Sequence, residues 1–185
     1  MLLGLAQKLK KVTLKTLPVY LLAVLVLVKA RPRGDFFSMG LLLVVLGEGL
    51  RIWVTGHLQK NLELTATGPY AFVKNPLYLG TFLLIVGFCL MANQLLLMAI
   101  GAGVFIFYYA PNKKRKEADR LADRFGQAWI DYEASVPDYW PRWTPYEHRG
   151  RSRWNIHQFL KNSEHETLLG VLAGIALISL KGWIP

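Results

Sequence analysis

The residues best suited to chemistry crowd into Thr67-Gly68-Pro69-Tyr70-Ala71-Phe72-Val73-Lys74-Asn75-Pro76-Leu77-Tyr78-Leu79-Gly80, where two phenols, an ammonium and a carboxamide are set among prolines and glycines. Apolar runs of membrane quality flank the stretch. Polar backbone in such a place is tolerated only where it packs in protein or lines a cavity, because lipid gives its N–H and C=O groups no partners. A buried ligand site is therefore expected here. Aromatic faces such as Tyr70 and Tyr78 suit a small cation. Asn75 can donate a hydrogen bond but cannot act as a general base.

Glu48 and Arg51 form a second constellation. Three apart in an otherwise apolar helix, they share a face and can pair, and ionisable residues inside a span mark a functional site by default because lipid exposure is costly. Two readings stay open: a pair that positions a substrate, or a buried structural pair in which Arg51 reaches toward water. His57, just beyond the apolar run, reads as a boundary residue, and His148, His157 and His165 lack metal-ligand company. The lone Cys89 leaves no internal disulfide and no cysteine-based zinc site.

The elements that must position these groups follow from how apolar and basic residues are segregated. The chain has 185 residues, 53% of them hydrophobic, yet carries a net charge of +10. Apolar runs lie at Leu17–Ala30, Phe36–Trp53, Leu77–Met91, Leu95–Ala110 and Thr167–Leu180. A span needs about 20 residues, so the second is comfortable and the last is marginal. The fold class expected is an all-α integral membrane protein of about five transmembrane helices, two hairpins plus a C-terminal helix, with a short cytoplasmic helical cap. Residues 1–55 would form the N-terminal hairpin, 56–141 a core of motif loop, hairpin and cytoplasmic helix, and 142–185 an interfacial segment and the last span. No convincing signal peptide precedes the first run.

Most of the 22 Lys and Arg fall before the first run, around residues 56–76, and after Pro111. The positive-inside rule puts those segments in the cytoplasm. That gives a multi-pass inner or plasma membrane protein whose site faces the cytoplasm, and its basic excess calls for anionic lipid head groups and no nucleic acid. Arg31-Pro32-Arg33-Gly34-Asp35 and Ala92-Asn93-Gln94 read as turns. After Pro111 a charged helix should run to Gly126. Trp140 and Trp143 suit the lipid–water boundary. Gly170 and Gly174 make a small-residue packing pair.

The stretch from Thr67 to Gly80 resembles the signature of the isoprenylcysteine carboxyl methyltransferase and phospholipid methyltransferase family of integral-membrane enzymes, in which Gly-Pro-Tyr is followed after three residues by Arg-His-Pro-x-Tyr-x-Gly. Glu117, Leu121, Phe125, Gly126, Tyr132, Val136 and Pro137 are similar to that family's second block. The resemblance covers about residues 51–141. It implies methyl transfer from S-adenosylmethionine to a hydrophobic small-molecule or lipidated acceptor, with the cofactor entering from the cytoplasm and the acceptor from the bilayer. By the same resemblance Leu62, Glu63, Leu64, Thr65, Tyr70, Asn75, Pro76, Leu77 and Tyr78 would border the cofactor, and Glu117 would close it. Here Lys74-Asn75 stands for Arg-His and Glu117-Ala118 for an acidic pair, which leaves the acceptor open.

Lys113, Lys114 or Arg115 could fix an acceptor carboxylate, or simply contact head groups; Glu48 and Arg51 complete the residues expected to position the acceptor. A nicotinamide-dependent lipid or sterol reductase and a non-catalytic membrane scaffold are the alternatives, the former opposed by the absence of a Gly-rich dinucleotide fingerprint. An apolar mouth between spans is expected near Glu48, Arg51 and Gly80, where a bulky residue would block the acceptor.

Overall fold

The computed structural model describes residues 17–60, 62–147 and 153–183. Lys8, Lys10, Lys11, Lys15 and His148 lie outside them. Among the described residues the chain is all helix and turn. The helices are α1 (Leu17–Lys29), α2 (Gly34–His57), α3 (Pro76–Met91), α4 (Leu95–Val104), α5 (Ala110–Phe125), α6 (Gln127–Ser135), α7 (Ile156–Lys161) and α8 (Glu164–Trp183), with a 3₁₀ turn at Gly68–Ala71. The runs at Phe36–Trp53, Leu77–Met91 and Thr167–Leu180 each lie within one of these helices, Leu17–Ala30 passes the end of α1 by one residue, and Leu95–Ala110 spans α4, a π turn and the start of α5. Three helical stretches, 34–57, 95–125 and 164–182, are long and apolar enough to cross a membrane, and two apolar helices, 20–29 and 76–91, are shorter.

The central pair is α2 against α3, antiparallel, and its cause is a glycine heptad on each helix. A side-chain carbon on Gly40 would lie 2.5 Å from the Gly87 carbonyl oxygen, and one on Gly87 would lie 2.8 Å from that of Gly40; Gly47 and Gly80 repeat the relation at 2.9 Å in both directions. Glycines seven apart on both helices thus let two backbones touch without side chains between them, the close approach that membrane helices exploit. Val44, Leu84, Met91, Val26 and Ile178 pack around the seam. The expected acceptor mouth at Gly80 is overturned by this geometry: a side-chain carbon there would lie 2.5 Å from Arg51 Cγ, so position 80 is a helix contact and not an entrance. Gly174 packs against the Phe88 ring, while Gly170 faces open space, so only half of the expected small-residue pair is used.

The fourth apolar run does not end at Pro111. A π turn at Phe105–Tyr109 joins α4 to α5, and the Ala110 N–H reaches back five residues to the Phe105 carbonyl. The wider turn leads without a break into Pro111, which has no N–H of its own, so the helix runs on into the charged segment. Gly126 ends it with φ of 52°, as its position after Phe125 suggested.

The 153–162 segment seals the far end of α2. The Trp154 indole N–H donates to the Ile52 carbonyl, the Asn155 N–H to that of Gly56, and the Asn162 amide to those of Thr55 and Leu58. Carbonyls left over at a helix C-terminus are satisfied in this way by side chains and loop backbone. The result is a rigid floor under the motif loop, completed by the His57 ring packed beneath Gly68, which has φ of 56°.

Candidate functional site

The motif loop is held by a second segment of chain rather than by its own structure. Pro69 and Pro76 start the 3₁₀ turn and α3, both positions where a missing N–H costs nothing. The backbone N–H groups of Lys74 and Asn75 donate to the carbonyls of Pro137 and Asp138, those of Arg142 and Tyr146 to Phe72 and Ala71, and the Tyr132 hydroxyl to the Tyr70 carbonyl. Tyr132, Trp129, Val136 and Tyr146 form the apolar support behind Ala66 and Ala71.

At the head of α3 the two sequence blocks meet. The Tyr78 hydroxyl donates to Glu117 Oε2 at 2.6 Å. Tyr78 is buried and edge-on to Tyr109, which stacks on Phe105 at 5.5 Å; Phe82 tilts against Phe105 from the other side. The π turn places Phe105 and Tyr109 here, in keeping with the frequent use of such turns at functional sites. Burial first, and then the nearby Glu117 carboxylate, push the Tyr70 phenol well above its ordinary range. The Tyr70 phenol is therefore neutral, and the Glu117 carboxylate faces an aromatic wall.

The remaining sequence-derived positions fall as follows. Pro76 is buried, Leu77 and Leu64 are half-buried, and Leu62 is exposed. The Thr65 hydroxyl accepts from the Gln59 N–H. Glu63 Oε1 and Thr67 Oγ1 are buried without hydrogen-bond partners, so this loop carries polar atoms that its own fold leaves unsatisfied. The Asn75 side chain is directed to Asp138, 3.3 Å from its carbonyl oxygen. Arg115 is exposed.

Asp138, which sequence reasoning passed over, is the electrostatic hub. Its carboxylate takes Lys114 Nζ at 2.5 Å and Lys74 Nζ at 3.2 Å, while Lys74 also donates to the Glu133 carbonyl. It ties the motif loop, α5 and the Pro137 segment together, and Lys114 is thereby spent on structure. Partial burial works to raise the Asp138 carboxyl, but the hydrogen bonds from Lys114 and Lys74 outweigh it and hold the group below the usual carboxylate range. A folded-state value below the unfolded one adds stability that is complete above the ordinary carboxylate range and vanishes as pH falls through the lowered value. We expect Asp138→Asn to flatten the acid limb of a stability-against-pH curve for the solubilised protein; an acid limb as steep as that of the wild type would show that the clamp contributes nothing.

Arg51 has a different principal partner from the one its spacing suggested. Its Nε and Nη2 form a fork on Glu164 at 2.7 and 3.0 Å, Nη1 donates to Thr81 at 2.6 Å, and Nη2 reaches Thr167 at 3.4 Å. Glu48 is 3.9 Å from Nε. It is only 4% exposed, and both its carboxylate oxygens lack a hydrogen-bond partner. The Arg51 cluster and Glu117 belong to one end of the molecule: Lys60 interacts electrostatically with both Glu117 and Glu164. Glu164 sits 113 residues from Arg51 in the chain. Its only sequence signal was its place in the first turn of the last apolar helix.

Comparison with known proteins fits this geometry. The chain is 33% identical over 122 residues to the cobalt-zinc-cadmium resistance protein CzcN of Cupriavidus metallidurans, a match spanning 65% of this chain and 55% of that protein. It is 31% identical over 156 residues to the nickel-cobalt-cadmium resistance protein NccN of Alcaligenes xylosoxydans xylosoxydans, covering 80% of this chain and 71% of that protein. The chain therefore spans little more than half the length of the first relative. No solved structure matches. A family model described as phospholipid methyltransferase matches residues 36–128. Because that match takes in the glycine seam, the motif loop, the π turn and the α5 carboxylate, the chain belongs to the phospholipid methyltransferase family.

Proposed function

We propose that this chain transfers a methyl group from S-adenosylmethionine to a lipid-like acceptor at the cytoplasmic face of the membrane. The observation that carries this reading is the Tyr78–Glu117 hydrogen bond, which joins two sequence blocks separated by a helical hairpin into one polar, aromatic-walled site. When bound, S-adenosylmethionine supplies a methyl group on a cationic sulfur that leaves as a neutral thioether. Tyr70, Tyr78 and Tyr109 offer aromatic faces to such a cation, and Glu117 offers the countercharge. The unsatisfied Glu63 and Thr67 oxygens fit hydroxyl or amino donors of the same ligand. Leu62, Leu64, Thr65, Asn75, Pro76 and Leu77 complete the border. Rigid backbone on both sides of Tyr78 keeps donor and acceptor in line, the main service a protein renders to a reagent that carries its own leaving group.

Of Lys113, Lys114 and Arg115, the first and last are exposed on α5 and left to meet an acceptor head group. The relatives' names concern resistance to cobalt, zinc, nickel and cadmium. Methylating a lipid head group removes a charge or donor atom that such a cation would otherwise meet at the membrane surface.

Titration of the detergent-solubilised protein with S-adenosylmethionine and with a reduced nicotinamide tests the reading. We expect saturable binding of the first alone. Selective binding of the nicotinamide would turn the site into that of a reductase, and binding of neither would leave a scaffold.

A further inference from the structure

Trp143 and Trp140 are 99% and 85% exposed, the two most exposed large apolar side chains among the described residues. They do not ride on a slack loop. Pro137, Pro141 and Pro145 recur every four residues, each fixing its own φ and confining the residue before it to extended backbone. The Arg142 guanidinium donates to the Ser135 carbonyl and the Thr144 hydroxyl. The segment is thus ordered with two indoles pointing outward, and exposed apolar surface gathered in this way marks a contact with something else.

What covers them follows from their level in the molecule. Tyr139, the neighbour of Trp140, packs against Tyr78, Phe105 and Ala110, which puts this tip beside the π turn at the end of the fourth apolar run. Phe107 and Tyr108 of that turn are 84% and 70% exposed, on a helical stretch long and apolar enough to cross a membrane. From Pro111 to Lys116 the only charges are basic. Lys114 is engaged by Asp138, while Lys113, Arg115 and Lys116 are exposed. Aromatic rings at the end of a span, followed at once by free cations, match a bilayer surface that carries anionic head groups.

We propose that Trp140 and Trp143 seat in the bilayer surface among anionic head groups, and that this contact steadies the motif loop. The link between the two is short. The segment that carries the indoles is also the strap over the loop: Lys74 and Asn75 donate to the Pro137 and Asp138 carbonyls, and Arg142 and Tyr146 donate to those of Phe72 and Ala71. Trp140 and Trp143 lie among these anchor points. Opening the strap drags the rings out of the lipid, so the apolar surface they bury there adds to the cost of opening. Each ring has about 150–250 Å² to bury. The contact belongs to the fold of the loop and holds whether or not the chain transfers methyl groups.

The test uses the full chain in vesicles of phosphatidylcholine with phosphatidylglycerol, and no cofactor. Phosphatidylcholine brominated close to the head group should quench the tryptophan emission that wild type shows over Trp140→Tyr/Trp143→Tyr, a variant that keeps the anchor and drops two fluorophores. Hydrogen exchange at the Lys74, Asn75, Arg142 and Tyr146 amides should quicken about tenfold in Trp140→Ala/Trp143→Ala, a change that needs only about 60 Å² of ring surface to lose its lipid cover. The Tyr variant should exchange like wild type. Unchanged exchange in α3 reports that the Ala variant is folded; if α3 quickens too, Trp143→Ala alone replaces it. Difference emission that the bromine leaves unquenched, wild-type strap exchange in a folded Ala variant, or equal protection in vesicles of phosphatidylcholine alone overturns the inference. Protection that grows with protein concentration and ignores lipid composition would give the tip to a second copy of the chain, and overturns it as well.

Discussion

Arg51→Ala should destabilise the protein by about 3–5 kcal/mol, the cost of leaving a buried charge without its partner. Two carboxylates, Glu164 and Glu48, would then face each other in the apolar layer, and Thr81 would lose its donor. Arg51→Lys should recover only part of the loss, because an ammonium cannot reproduce the fork on Glu164. Unfolding in mixed micelles by graded denaturing detergent measures both. A loss within about 0.5 kcal/mol for Arg51→Ala, the range of ordinary surface substitutions, would mean that α8 is not anchored through this pair.

The second large effect is expected at the junction of the two blocks. Glu117→Gln should weaken S-adenosylmethionine binding by about 1.5 to 3 kcal/mol, because it removes the charged partner of a hydrogen bond and the countercharge of a cation. Tyr78→Phe should also weaken it, since it leaves Glu117 without the donor that orients it. The double variant should fall short of the sum of the two, as expected for groups in direct contact. Isothermal titration supplies the three values. Strict additivity would separate the two residues into independent roles, and unchanged affinity in Glu117→Gln would remove the carboxylate from the cofactor site.

How much of this was legible in the sequence depends on the range of the interaction. Helix positions followed from apolar runs, since each run is a local property, and the two blocks that meet at Tyr78 and Glu117 followed from their resemblance to a family pattern. Gly126 as the end of α5 was equally local. The glycine heptads at Gly40 and Gly47 and at Gly80 and Gly87 stood in the sequence, but only their mutual facing gives them meaning. The closer partner of Arg51 was missed for the same reason. Spacing favours Glu48, three residues away, yet α8 brings Glu164 into a better fork. The π turn is a backbone choice that no residue type announces, and it alone brings Tyr109 beside Tyr78. Asp138 escaped notice because a lone aspartate after Val136-Pro137 has no partner until Lys74 and Lys114 converge on it.

The central claim is that this chain methylates a bilayer-resident acceptor. Its most direct test is to incubate the purified protein, reconstituted in vesicles of its own host lipid, with S-adenosylmethionine labelled in the methyl group, and then to partition the label between organic and aqueous phases. The account predicts label in the extracted lipid, dependent on the wild-type protein and largely lost with Glu117→Gln. Label confined to protein or to the aqueous phase, or equal transfer by the Glu117→Gln variant, would contradict it.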